Sequence, residues 1–107
     1  MPAQAVQVAR LEEVPEGKVK VVEVEGRRIA LCNYNGSIYA IDDVCTHDRG
    51  PLGQGELIGN EIECPRHGAR FDVTSGRPTR LPAVRPVQTY PVHVSDGIIS
   101  VEVPQSP

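Results

Sequence analysis

Two short stretches constrain this chain more than anything else in it: Cys45-Thr46-His47 and Cys64-Pro65-Arg66-His67-Gly68. Each presents one thiol and one imidazole, and sixteen residues lie between His47 and Cys64. Thiolate and imidazole are both good donors to transition metals, so a fold that uses all four must bring two loops side by side. A glycine- and proline-bearing stretch follows each pair, Gly50-Pro51-Leu52 after the first and Gly68-Ala69-Arg70-Phe71-Asp72 after the second. A single cysteine or histidine is usually structural. Four of them in two loops of this kind form a set.

At 107 residues the chain is expected to be one domain, 1–107, with a modest core. Ten prolines are about twice the usual share of roughly 5%. Six of them fall between Pro51 and Pro91, and six glycines fall between Gly50 and Gly76. That half of the chain is loop-rich. The formal net charge of −3 gives no reason to expect nucleic acid or an anionic membrane as partner. No apolar run approaches a membrane span and no charged-then-apolar leader opens the sequence, so the cytoplasm is the expected compartment. Three cysteines suit that compartment better than a disulfide framework, which calls for an even number.

The rest of the sequence reads as short strands. Val6 and Val8 alternate with polar neighbours, and Leu11 to Gly17 reads as a turn with one helical turn at Glu12-Glu13. Val19–Val24, Ile29–Tyr34 and Ser37–Asp42 are strands. Asn35-Gly36 between the last two is a strong tight-hairpin signal, because both central residues need positive φ. Tyr39 and Ile41 belong to one face of the returning strand, Ile38 and Ala40 to the other. Glu61–Glu63 leads into the second Cys/His loop and Ala69–Val73 leads away, so that Ile62 and Phe71 anchor its base. Thr74 to Pro78 reads as a turn and Leu81 to Pro86 as irregular. Val87–Val94 is a strand demoted to an edge or bulge by Pro91, joined through Ser95-Asp96-Gly97 to Ile98–Val103. Cys32 alternates with Ala30 and Tyr34 and is expected to be a buried, inert thiol. His93 is expected to be a surface histidine. The fold class is all-β, an antiparallel sandwich or barrel.

A Cys-X-His paired with a Cys-X-X-His is the donor set of a Rieske [2Fe–2S] centre, in which two imidazoles replace two cysteines on one iron. On these residues the chain resembles the Rieske-type ferredoxins of aromatic-ring dioxygenase systems, such as the biphenyl dioxygenase ferredoxin type. The resemblance implies one [2Fe–2S] cluster, with Cys45 and Cys64 on one iron and His47 and His67 on the other. It implies a Rieske-like β-sandwich with a small cluster-binding subdomain over about 43–84, and imidazole edges at an exposed tip. Such imidazoles are titratable, so the potential is expected to fall at alkaline pH. High-potential members of the family brace their loops with two further cysteines, and here Gly50 and Arg66 stand at those positions. Their sulfur-directed hydroxyls are replaced by Ala69 and Phe71. Fewer hydrogen bonds to sulfur disfavour the more negative reduced state, which points to the low end of the roughly −150 to +300 mV range. Pro82 resembles the family's third loop, which covers the cluster. Arg49 and Arg66 make the tip locally basic, partly offset by Asp48.

Three histidines are too few for both a Rieske centre and a mononuclear iron site, and no nucleotide-binding glycine fingerprint is present. The resemblance therefore implies a one-electron carrier and not an enzyme. Its donor is a flavoprotein reductase and its acceptor a terminal oxygenase. The alternative is the small Rieske subunit of an NADH-dependent nitrite reductase, seated on that enzyme's large subunit. Zinc also takes Cys2His2 donors, although zinc modules usually pair like with like in each loop.

Overall fold

The computed structural model describes residues 3–46 and 49–104. His47 and Asp48 lie outside the described residues. The described strands are β1 (Ala3–Arg10), β2 (Val19–Val24), β3 (Arg27–Tyr34), β4 (Ser37–Asp42), β5 (Leu57–Ile58) and β6 (Glu61–Glu63). They continue with β7 (Arg70–Asp72), β8 (Pro78–Arg80), β9 (Thr89–Tyr90), β10 (Val92–Ser95) and β11 (Ile98–Pro104). Single 3-10 turns occupy Leu11–Glu13 and Leu52–Gln54. No described helix is long and apolar enough to cross a membrane.

Every described strand pairing is antiparallel, in three sheets ordered β1-β11-β10, β2-β3-β4-β9 and β5-β6-β7-β8. The hairpin expected at Asn35-Gly36 is present, with Tyr34 opposite Ser37 and φ of 56° and 87° at the two central residues. Those signs match the right-handed twist of the flanking strands. The β2–β3 turn uses the same geometry at Glu25-Gly26, with φ of 49° and 81°.

The middle sheet is buried on both faces. In β3, Ile29 to Asn33 are all buried, and alternate residues face different cores. Ile29 and Leu31, with Ile38 and Ala40 of β4, pack against Ile99 and Val101 of β11. Ala30 and Cys32, with Ile41, turn the other way and join the core that holds Leu52, Ile62 and Phe71. The division of β4 into two faces is as the alternation predicts. Each of the last three side chains is fully buried, worth roughly 1.5–3 kcal/mol apiece.

Two expectations need correcting. Val87–Val94 is not one strand: Thr89–Tyr90 pairs with β4 in the middle sheet, and Val92–Ser95 pairs with β11 in another. Pro91 lies at the changeover, where it has no N–H to give a ladder while its carbonyl accepts from Glu102 N at 2.9 Å. Pro78, expected to end a turn, instead opens β8, which pairs with β7 across a register shift.

Candidate metal centre

The two Cys/His loops are built on different supports, yet their described residues close with the same pair of main-chain hydrogen bonds. The first leaves β4 after Asp42, and the second closes the hairpin of β6 and β7. In the first, Cys45 N donates to Gly50 O at 2.7 Å and Cys45 O accepts from Arg49 N at 2.7 Å. In the second, Cys64 N donates to Ala69 O at 2.7 Å and Cys64 O accepts from Gly68 N at 3.1 Å. The residue four places after each cysteine is left-handed, Arg49 at φ 64° and Gly68 at φ 76°. Each cysteine therefore has both main-chain groups fixed, which sets the direction of its Cα–Cβ bond.

Both thiols point inward. Cys45 and Cys64 are buried in one core with Leu52, Ile62, Phe71 and Ala83. His67 is exposed, as are Pro65 and Arg66 beside it. Ile62 and Phe71 stand opposite each other in the β6–β7 ladder, directly beneath the second loop. The same hairpin carries ion pairs from Arg70 to Glu63 at 3.0 Å and to Glu61 at 3.6 Å.

The third loop leans on the first. Thr46 Oγ1 donates to Arg85 O at 2.8 Å, and Ala83 is buried among the residues around the two cysteines. Leu81 and Val84 on that loop are 74% and 71% exposed. Neither the Thr46 bond nor the left-handed Arg49 was anticipated from sequence, and no local pattern announces either.

No disulfide joins the three cysteines, all of which are buried. Burial, aided by the nearby negative charge of Asp43, pushes the Cys32 thiol up from 9.0 to about 12. It therefore stays a neutral thiol and offers no thiolate to a metal, unlike what a ligand cysteine requires. His93, on β10, is largely exposed and bonded to Glu102 of β11. Among the described residues no three His, Cys, Asp or Glu side chains gather into a metal site, and the fourth candidate donor, His47, lies outside them. The donor chemistry nonetheless fits a diiron cluster: two inward thiols on matched loops, an imidazole facing outward, and an apolar floor.

This architecture is that of a Rieske protein, and the chain belongs to the Rieske [2Fe-2S] domain family, which matches residues 4–91. A Rieske domain holds one [2Fe–2S] cluster, and its role is electron transfer, not catalysis of its own. Among relatives, the ferredoxin component of the naphthalene 1,2-dioxygenase system of Pseudomonas aeruginosa is 40% identical over 103 residues, 96% of this chain and 99% of that protein. The ferredoxin of carbazole 1,9a-dioxygenase from Nocardioides aromaticivorans has a similar structure, with TM-score 0.88 and 38% identity over 92% of this chain and 96% of that one. A ferredoxin chain in a complex of reduced oxygenase and oxidised ferredoxin of carbazole 1,9a-dioxygenase gives TM-score 0.87 and 31% identity, covering 92% of each chain.

Proposed function

We propose that this protein is a soluble, cytoplasmic one-electron carrier that takes electrons from a flavoprotein reductase and delivers them to a terminal oxygenase. The single observation that supports this best is the pair of matched loops with buried Cys45 and Cys64 and an exposed His67. Cys45 and Cys64 would hold one iron of the cluster, and His47 and His67 the other. Residues 1–107 form one domain, in which about 43–84 makes the cluster-binding part. When bound, the cluster accepts and releases one electron at a time.

The chain's own residues divide the remaining work. Leu52, Ile62 and Phe71 keep water from the thiolate side. His67 presents an imidazole edge to the surface, where a partner reaches it without opening the fold. Buried Ala69 and Phe71 offer no hydroxyl to sulfur, so the potential lies toward the low end of the Rieske range. The loop around Pro82 rests on the first ligand loop through Thr46 and limits solvent access from that side.

The test is the visible absorption and electron paramagnetic resonance spectrum of the reduced protein, with a redox titration. A Rieske signal that titrates as one electron, at or below zero mV, is the expected result. Cys45→Ser and His67→Ala each abolish that signal. A colourless iron-replete protein, or a signal that survives replacement of both histidines, overturns the proposal.

A further inference from the structure

The two ligand loops are not supported alike. The second is clamped between β6 and β7, which pair from Glu61↔Asp72 to Glu63↔Arg70. The first enters from β4 but leaves into the 3-10 turn Leu52–Gln54, with no strand among the described residues returning beside it. The Cys45 main chain closes its inner part on Arg49 and Gly50, and no disulfide ties the wider segment.

Asp43 ties it instead. It is 2% exposed, its side chain is fully buried, and it lies two residues before Cys45. Asp43 Oδ1 accepts from Gly53 N–H, which closes the loop from residue 43 to residue 53. Asp43 Oδ2 accepts from Arg28 Nε at 3.2 Å, and Asp43 N donates to Arg28 O at 2.9 Å, which fastens the closed loop to β3. Gly53 leaves space for nothing larger: a Cβ there would lie 2.2 Å from Val21 Cγ2 and 2.9 Å from Asp43 Oδ1.

A neutral amide could also accept from Gly53 N–H, though less strongly and with no second acceptor left for Arg28. Burying a full carboxylate instead carries a large desolvation cost, met here by one main-chain donor and a guanidinium that is itself 57% exposed. A fixed, buried negative charge two residues before Cys45 opposes the arrival of an electron on the cluster, and the Arg28 cation partly cancels it. We infer that Asp43 is a positioning residue for the cluster, closing the first ligand loop through Gly53 while its charge, balanced by Arg28, holds the reduction potential down. This rests on the proposed ligand assignment.

The experiment uses the full-length, cluster-loaded protein and the variants Asp43→Ala, Asp43→Asn and Arg28→Gln. Three quantities are measured: the rate at which an iron chelator bleaches the visible absorption, the reduction potential, and the far-ultraviolet dichroism as a check on the fold. Asp43→Ala is expected to lose its cluster at least about tenfold faster, by analogy with the roughly 10–100-fold loss of metal affinity when a ligand's supporting group is removed. Asp43→Asn keeps an oxygen for Gly53 N–H but gives up the acceptor for Arg28, so it bleaches less than tenfold faster than wild type while its potential rises. Arg28→Gln leaves the carboxylate unbalanced, so its potential falls. Opposite shifts from two variants at one ion pair are not produced by loosened packing. If Asp43→Ala fails to fold, the other two variants still decide the matter. Equal or same-direction potentials in Asp43→Asn and Arg28→Gln overturn the inference, as does bleaching of Asp43→Asn faster than tenfold over wild type. A wild-type protein without a Rieske signal fails the ligand assignment instead, which separates the two failures.

Discussion

Cys32 shows how one residue type divides into two roles within a single core. It shares the apolar surroundings of Cys45 and Cys64, yet it lies mid-strand, opposite Val19 and Tyr39, with no loop to expose it. Desolvation, and after it the Asp43 charge, raises its thiol to about 12, against 9.0 for an ordinary cysteine. Below pH 9 the thiol is protonated in both the folded and the unfolded chain, and its contribution is complete. As pH rises from 9 toward 12 the unfolded chain ionises first, so stability is lost across that window. Urea denaturation from pH 8 to 11 is expected to show this decline, with a shallower slope in Cys32→Ala. An unchanged slope would mean that the thiol does not ionise on unfolding. Tyr90, raised by burial and by its hydroxyl bond to Asp42, adds a second alkaline-sensitive group.

At the scale of elements, the second ligand loop depends on how closely the neighbouring turn can approach. Gly55 follows the 3-10 turn Leu52–Gln54, and a Cβ there would lie 1.7 Å from Glu63 O, the carbonyl just before Cys64. Backbone cannot swing aside as a side chain does, so Gly55→Ala must displace either the turn or the end of β6. A loss of about 1–3 kcal/mol is expected by analogy with overpacked cores, together with a lower iron content per chain. Thermal unfolding and iron analysis check both. The strand pairs next to this site were the hardest to foresee. β5 spans two residues and β8 three, too short for any alternation to register, and each exists because a neighbouring strand presents an open ladder. The longer β2 and β4 were legible from their apolar residues and the turns that bound them, and β6, no longer than β8, only because it leads into the second Cys/His loop.

Across the whole molecule, charge is unevenly placed. The chain carries a formal −3, yet Arg49, Arg66, Arg80 and Arg85 are all exposed on the three loops or at their margins. Leu81 and Val84 add exposed apolar surface between them in sequence. Such a face suits a partner of opposite charge, whose approach it speeds at low ionic strength. Arg66→Glu is expected to slow electron delivery to the acceptor by about tenfold at low salt. The variant's rate should also depend less on ionic strength, since screening acts over about 8 Å at 0.15 M. Stopped-flow reduction of the acceptor over a salt series measures both, and a variant with wild-type rate and slope would exclude this residue from steering.

The amino-acid order alone determined the all-β class, the tight turns, the two faces of β4 and the two loops that bear the Cys/His pairs. These rest on interactions between residues near one another in the chain, where side-chain alternation and φ preference act directly. Tertiary structure alone decided that Arg49 would copy the backbone of Gly68, that Pro91 would pass the chain between sheets, and that Asp43 would meet Gly53 and Arg28. Each of these depends on which distant segments come to share a space, and that is set by burying both faces of the middle sheet at once.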